Sequence, residues 1–168
     1  IGALLYAFQG GMESGNALID VLYGDAQPGG RLTDTVPRHY EDAPSYGHFG
    51  GRDFNEYRED IYVGYRYYET FAQDKVLYPF GFGLSYTTFR VDSAAEVWQT
   101  SWDLRIQVTN TGSRPGRQVV QVYVEAPQGR LGKAARVLAD YWKTPELAPG
   151  QSAETALWID LKSLASFD

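Results

Sequence analysis

The chain contains no cysteine, one methionine and two histidines among its 168 residues. Without cysteine there is no disulfide framework, no thiolate metal site and no thiol nucleophile. The compartment stays open, because many exported proteins also lack cysteine. Basic residues are in deficit, and the net charge of −6 argues against a nucleic-acid partner, which needs a cationic surface. The acidity is too mild for a solvating tail. No apolar run approaches the roughly 18 residues of a membrane-spanning helix, so no membrane partner is expected. Repeats are absent as well. His39 and His48 lie in one loop with no third ligand at metal-site spacing, so no metal site is expected.

What is present reads as globular: 43% apolar and 21% charged residues. Gly2 to Phe8 is a short continuous apolar run, suited to a strand buried on both faces of a parallel sheet and expected to be the opened edge of one. Gly10-Gly11 follows, and then Ala17, Leu18, Val21 and Leu22 fall on one face of a helix. Glu13 and Ser14 suit its first turn, where free N–H groups favour oxygen and negative charge. Gly24 stands where a left-handed C-terminal cap belongs. Strand, glycine loop and helix make half of an α/β unit. A turn cluster, Asp25 to Gly30, precedes an extended segment expected over Arg31 to Val36. Residues 38–53 read as a long surface loop, and Ile61 to Tyr68, rich in β-formers, reads as weakly alternating extended chain.

Most of the 13 tyrosines crowd between Tyr40 and Tyr86. The segment Tyr57 to Phe89, with its Pro79-Phe80-Gly81-Phe82-Gly83 turn, is expected to join two domains. Tyrosine suits such a joint because its ring is buried while its hydroxyl finds a partner. Beyond it the pattern has period two. Leu104, Ile106 and Val108 alternate with polar residues, as do Val120, Val122 and Val124, and Thr155, Leu157 and Ile159. The turns Asn110-Thr111-Gly112 and Pro149-Gly150 separate these runs, which predicts an antiparallel sandwich. Tyr86 to Asp168 falls short of the roughly 100 residues of a seven-strand sandwich, so a last strand or two is expected to be missing.

The motifs GGMESGNALIDVLYGDAQPGGRL, YREDIYVGYRYYE, YPFGFGLSYTTF and VTNTGSRPGRQVVQVYV followed by LAPGQS resemble family-3 glycoside hydrolases, the β-glucosidase group. The resemblance runs over nearly the whole chain, with its motifs in the family's order. It implies an α+β protein in two parts. Residues 1–84 would be the C-terminal portion of an α/β (αβα) sandwich domain. Residues 85–168 would be most of an antiparallel fibronectin type III-like, immunoglobulin-like β-sandwich. It also implies a retaining exo-acting β-glycosidase without metal or organic cofactor. The partner would be a β-linked oligosaccharide or glycoside, held mainly by a barrel domain outside these residues. In the family the Asp nucleophile belongs to that barrel, and the acid/base Glu precedes the loop matched by Gly10 to Ala17. No catalytic role therefore falls on a residue of this chain. Met12, Glu13 and Ser14 are the substrate-proximal candidates, since the family's equivalent loop lies near the active-site mouth. The simpler role for Glu13 is that of a carboxylate at a helix N-terminus.

Other constellations point to no chemistry of their own. Asp53, Glu56, Glu59 and Asp60 interleave with Arg52 and Arg58, which reads as solvated ion pairs. Gly10-Gly11 lacks the lysine of a phosphate loop, and Ser14 has no base placed to activate it. Trp98, Trp102, Trp142 and Trp158 are expected to fill the sandwich core or a seam between domains, with a sugar-stacking platform as the alternative. The competing readings of the chain are a non-catalytic structural or carbohydrate-binding module, and half of an enzyme split over two polypeptides.

Overall fold

The computed structural model describes residues 2–166. Its first part is built from two helices and one small ribbon. Helix α1 (Ser14–Tyr23) ends at Gly24, whose φ of 84° is the left-handed cap the sequence predicts. Leu18 and Val21 are half-buried, whereas Ile19, Leu22 and Tyr23 are exposed. The run Gly2 to Phe8 forms no strand, contrary to expectation. A parallel strand exists only when neighbours take its N–H and C=O groups, and among the described residues none does. Leu4, Tyr6 and Phe8 are correspondingly exposed.

The segment expected to extend from Arg31 to Val36 pairs only at its end. There, β1 (Val36–Pro37) lies antiparallel to β2 (Val76–Tyr78). Upstream, Leu32 exchanges backbone hydrogen bonds with the Pro-Phe-Gly-Phe-Gly turn: its N–H donates to Phe82 O at 2.8 Å and its carbonyl accepts from Gly81 N at 2.7 Å. A second expectation fails at residues 61–68, where helix α2 (Tyr65–Phe71) replaces extended chain. Gly64, at φ 60° and ψ −129°, takes a backbone conformation open to almost no other residue. It turns the chain into the helix, and tertiary packing of the tyrosines overrides their β-propensity.

The second part is the antiparallel sandwich. One sheet has the order β3-β4-β7, from Phe89–Val97, Ser101–Asn110 and Ser152–Asp160. The other pairs β5 (Val119–Val124) with β6 (Val137–Lys143). Strands β4, β5 and β7 and both turns lie where alternation placed them, and Gly150 adopts φ 78°. Strands β3 and β6 were not among the predicted runs. Ile106, Val108 and Leu147 form the core, with Phe89, Leu104, Val120, Val122, Trp142, Ala153 and Leu157 around them. Register places Val91 opposite Val108 and Val97 opposite Trp102 on the same inward face. Both valines are nevertheless exposed, Val97 at 70%, because two strands cannot cover three.

Candidate functional site

Met12, Glu13 and Ser14 stand together where the glycine loop enters α1. Gly10 makes the approach possible, since a Cβ there would lie 2.3 Å from the Ser14 Cβ. Ser14 N donates to Gly11 O at 3.1 Å, and the Glu13 carbonyl accepts the first helical bond from Ala17 N at 2.9 Å. The Glu13 carboxylate accepts from Asn16 Nδ2 at 2.6 Å and makes no hydrogen bond to the helix backbone. It sits where the helix dipole favours an anion. All three residues are exposed, and Met12 is fully so, at 102%. The loop is an open rim with no enclosure of its own.

The aromatic joint is a polar and aromatic assembly that links α2 to the sandwich. Tyr65 stacks on Phe80 at 4.7 Å and meets Tyr123 of β5 edge-on at 6.0 Å. Its hydroxyl accepts from Leu138 N of β6 at 2.8 Å. From the same helix, Thr70 Oγ1 accepts from Ala135 N at 3.0 Å, and Glu69 pairs with Arg136. The Arg136 guanidinium in turn lies over the Tyr123 ring, 5.1 Å from its centre. Burial pushes the Tyr123 hydroxyl above its ordinary pKa, with Arg136 opposing. Helix α2 is thus clamped to the β5–β6 sheet, as expected of a joint.

A second set of bonds ties the turn cluster to the sandwich. Gln27 donates through Nε2 to Pro115 O and accepts through Oε1 from Ser85 Oγ. Arg31 Nη2 donates to Gln118 Oε1 at 2.6 Å, and burial lowers the pKa of Arg31. Tyr86 OH donates to Val21 O at 2.9 Å, and Arg114 Nη1 to Gly24 O at 3.1 Å. Gly81 and Gly116 allow this closeness: a Cβ at either would lie within 2.3 Å of the Gln121 or Gln27 amide. Sequence reading missed Gln27 and Arg136. Gln27 has as its signal a place in a glycine-rich turn, and Gly116 admits it; Arg136 has none.

The remaining candidates stay apart from these assemblies. Glu56 pairs with Arg58 on the exposed loop, as the interleaving predicts. Among the described residues no group of three or more His, Asp or Glu side chains could hold a metal ion. No helix among the described residues is long and apolar enough to cross a membrane. The tryptophans divide. Trp142 packs on the core and Trp102 is half-buried. Trp98 and Trp158 correct the expectation, being 58% and 62% exposed.

Comparison with known proteins agrees with this two-part architecture. The model of the glycosyl hydrolase family 3 C-terminal domain matches residues 1–86, and that of the fibronectin type III-like domain matches residues 118–168. A β-glucosidase of Ruminococcus albus is 44% identical over 99% of this chain and 18% of its own length. For β-glucosidase A of Butyrivibrio fibrisolvens the identity is 44%, over 100% of the chain and 22% of the relative. The chain therefore spans about a fifth of the curated relatives it matches. Among solved structures, a β-glucosidase from Paenibacillus barengoltzii superposes with a TM-score of 0.89 at 49% identity, over 95% of this chain and 18% of its own. The glucose complex of β-glucosidase 3B from Thermotoga neapolitana gives 0.86 at 43% identity, over 93% and 22%. With its first half matched to the family's C-terminal domain and its whole length aligned to those enzymes, the chain belongs to glycosyl hydrolase family 3.

Proposed function

We propose that the full-length protein is a retaining, exo-acting β-glucosidase, to which these residues contribute the rim and outer wall rather than the reacting carboxyl groups. The 44% identity to β-glucosidases along essentially the whole chain carries this reading. Retention needs a carboxylate that attacks the anomeric carbon. A carboxylic acid about 5–5.5 Å away protonates the leaving oxygen and later activates water. Neither role is assigned to a residue here. Glu13 is held by Asn16 at an open helix end, which suits hydrogen bonding to a sugar hydroxyl better than proton transfer.

Within this reading Met12, Glu13 and Ser14 lie beside the substrate. Their contiguity on an exposed glycine loop supports that placement. A boundary near residues 84 and 85 divides the two domains, in keeping with the first family match ending at residue 86. The test is hydrolysis of an aryl β-glucoside by the full-length protein, with Glu13→Gln beside wild type. The expected result is turnover by both, with KM raised up to about tenfold and kcat nearly kept, the pattern of lost uniform binding. No turnover by wild type would overturn the β-glucosidase reading. A loss of kcat by about 10⁴ would make Glu13 a catalytic residue and overturn its assignment here.

A further inference from the structure

The outward face of the β3-β4-β7 sheet is built unlike an idle sandwich surface. Register sets Asp92, Gln107 and Glu154 in one outward row and Ala94, Arg105 and Ala156 in the next. The two alanines leave a shallow trough of about 590 Å³, walled by those polar side chains. The following row is Glu96, Asp103 and Trp158. One step further Trp98 continues the β3–β4 hairpin, its N–H donating to Ser101 O at 2.8 Å. By strand alternation both indoles face outward at one end of the trough. They stand on the two outer strands, two ladder spacings or about 10 Å apart across the sheet, on the scale of two linked pyranose rings.

We infer that this face is an ancillary binding surface for a neutral β-glucan chain, separate from the hydrolytic site. Three properties select that ligand. Indole faces stack on the apolar faces of sugar rings and are otherwise costly to leave in water. Planar carboxylate, amide and guanidinium groups match ring hydroxyls as acceptors and donors. The lining side chains are exposed and only partly paired with one another: Arg105 reaches Glu96 only at 3.7 Å, Arg90 pairs with Asp92 at 2.8 Å, and Gln107 donates to Glu154. They can exchange water for hydroxyls. The acidic excess of Asp92, Glu96, Asp103 and Glu154 over Arg90 and Arg105 disfavours an anionic polysaccharide. The face also lies on the sheet that takes no part in the aromatic joint, which engages β5 and β6.

The inference rests on the β-glucosidase reading, and its test keeps the two apart. Retention of the full-length protein on microcrystalline cellulose and on curdlan, two insoluble neutral β-glucans, would be measured for wild type, Trp98→Ala/Trp158→Ala and the corresponding double Phe variant. The same preparations would be assayed on an aryl β-glucoside and sized by light scattering. The expected result is retention of wild type, roughly tenfold weaker for the double Ala variant and partly recovered with Phe, at unchanged aryl-glucoside kinetics and unchanged mass. Hydrolysis by a wild type that neither glucan retains would sink this inference and leave the function standing. Equal retention of all three proteins would also overturn it. So would a wild-type dimer that the Ala variant turns into monomer, since the indoles would then serve a second copy of the protein.

Discussion

Asn110 is fully buried, and four hydrogen bonds converge on its amide. Its Nδ2 donates to Arg114 O at 2.7 Å and Leu147 O at 2.8 Å. Its Oδ1 accepts from Thr87 Oγ1 at 2.9 Å and Gly112 N at 3.0 Å. Asn110→Ala would remove all four bonds, leaving Leu147 O only its bond from Gly116 N, and a loss of about 2–4 kcal/mol is expected in denaturant melts. Titration offers a second check at this scale. Burial first, then Tyr67, Asp42 and Glu59, raises the pKa of Tyr68. Burial likewise raises that of Tyr123, against Arg136. A hydrogen bond to Asp42 raises that of Lys75. In all three the folded state holds the proton more tightly. The stability they contribute is therefore complete below their ordinary values, near pH 10 to 10.4, and is lost as pH climbs through the raised folded ones. Melting temperature should hold from neutrality to about pH 10 and fall above it. A fall beginning below pH 9 would contradict that ordering.

Elements behaved according to how much of their cause is local. The period-two runs of β4, β5 and β7 were legible because one buried face imposes alternation on its own sequence. Helix α1 was legible through its apolar spacing and Gly24. Strand β6 was not, because Val137 to Lys143 is half-buried along most of its length and its register against β5 shifts between Val122 and Tyr123, passing over Ala139. Helix α2 was misread since what decides it lies elsewhere: Tyr65, Glu69 and Thr70 are held by β5, β6 and the loop before β6. Met12, Glu13 and Ser14 were proposed from resemblance alone, whereas the outward trough was not legible, its rows being visible only once register aligns three strands. Gly64→Ala would force a side chain into a glycine-only conformation, and about 1–3 kcal/mol of destabilisation is expected. Ile106→Ala, at the centre of β4 and 2% exposed, should cost about 2–5 kcal/mol. An equal cost for Val97→Ala, whose side chain is exposed, would show that the core is drawn wrongly.

As a whole molecule the 168-residue chain presents surfaces that ask for cover. The apolar stretch before α1 is open, β5 has a ladder partner on one side only, and the inward row of β3 beyond Phe89 is bare. Unpaired strand edges recruit other strands. Expressed by itself, the chain should show light-scattering mass that grows with concentration and a broad, low melt. A sharp monomeric transition at high temperature would refute this. It should also lack turnover of aryl β-glucosides, and turnover abolished by Glu13→Ala would overturn that expectation.

Gln27 ties the turn cluster to two points of the second part with a single planar group: its nitrogen reaches Pro115 O while its oxygen receives the Ser85 hydroxyl. Pro28, which follows it, has no N–H to attack that amide, so the usual cyclising route to deamidation is closed. Only Gln27→Glu would set a negative oxygen against the Pro115 carbonyl and turn the staple into a wedge, with the hydrophobic centre of the sandwich untouched.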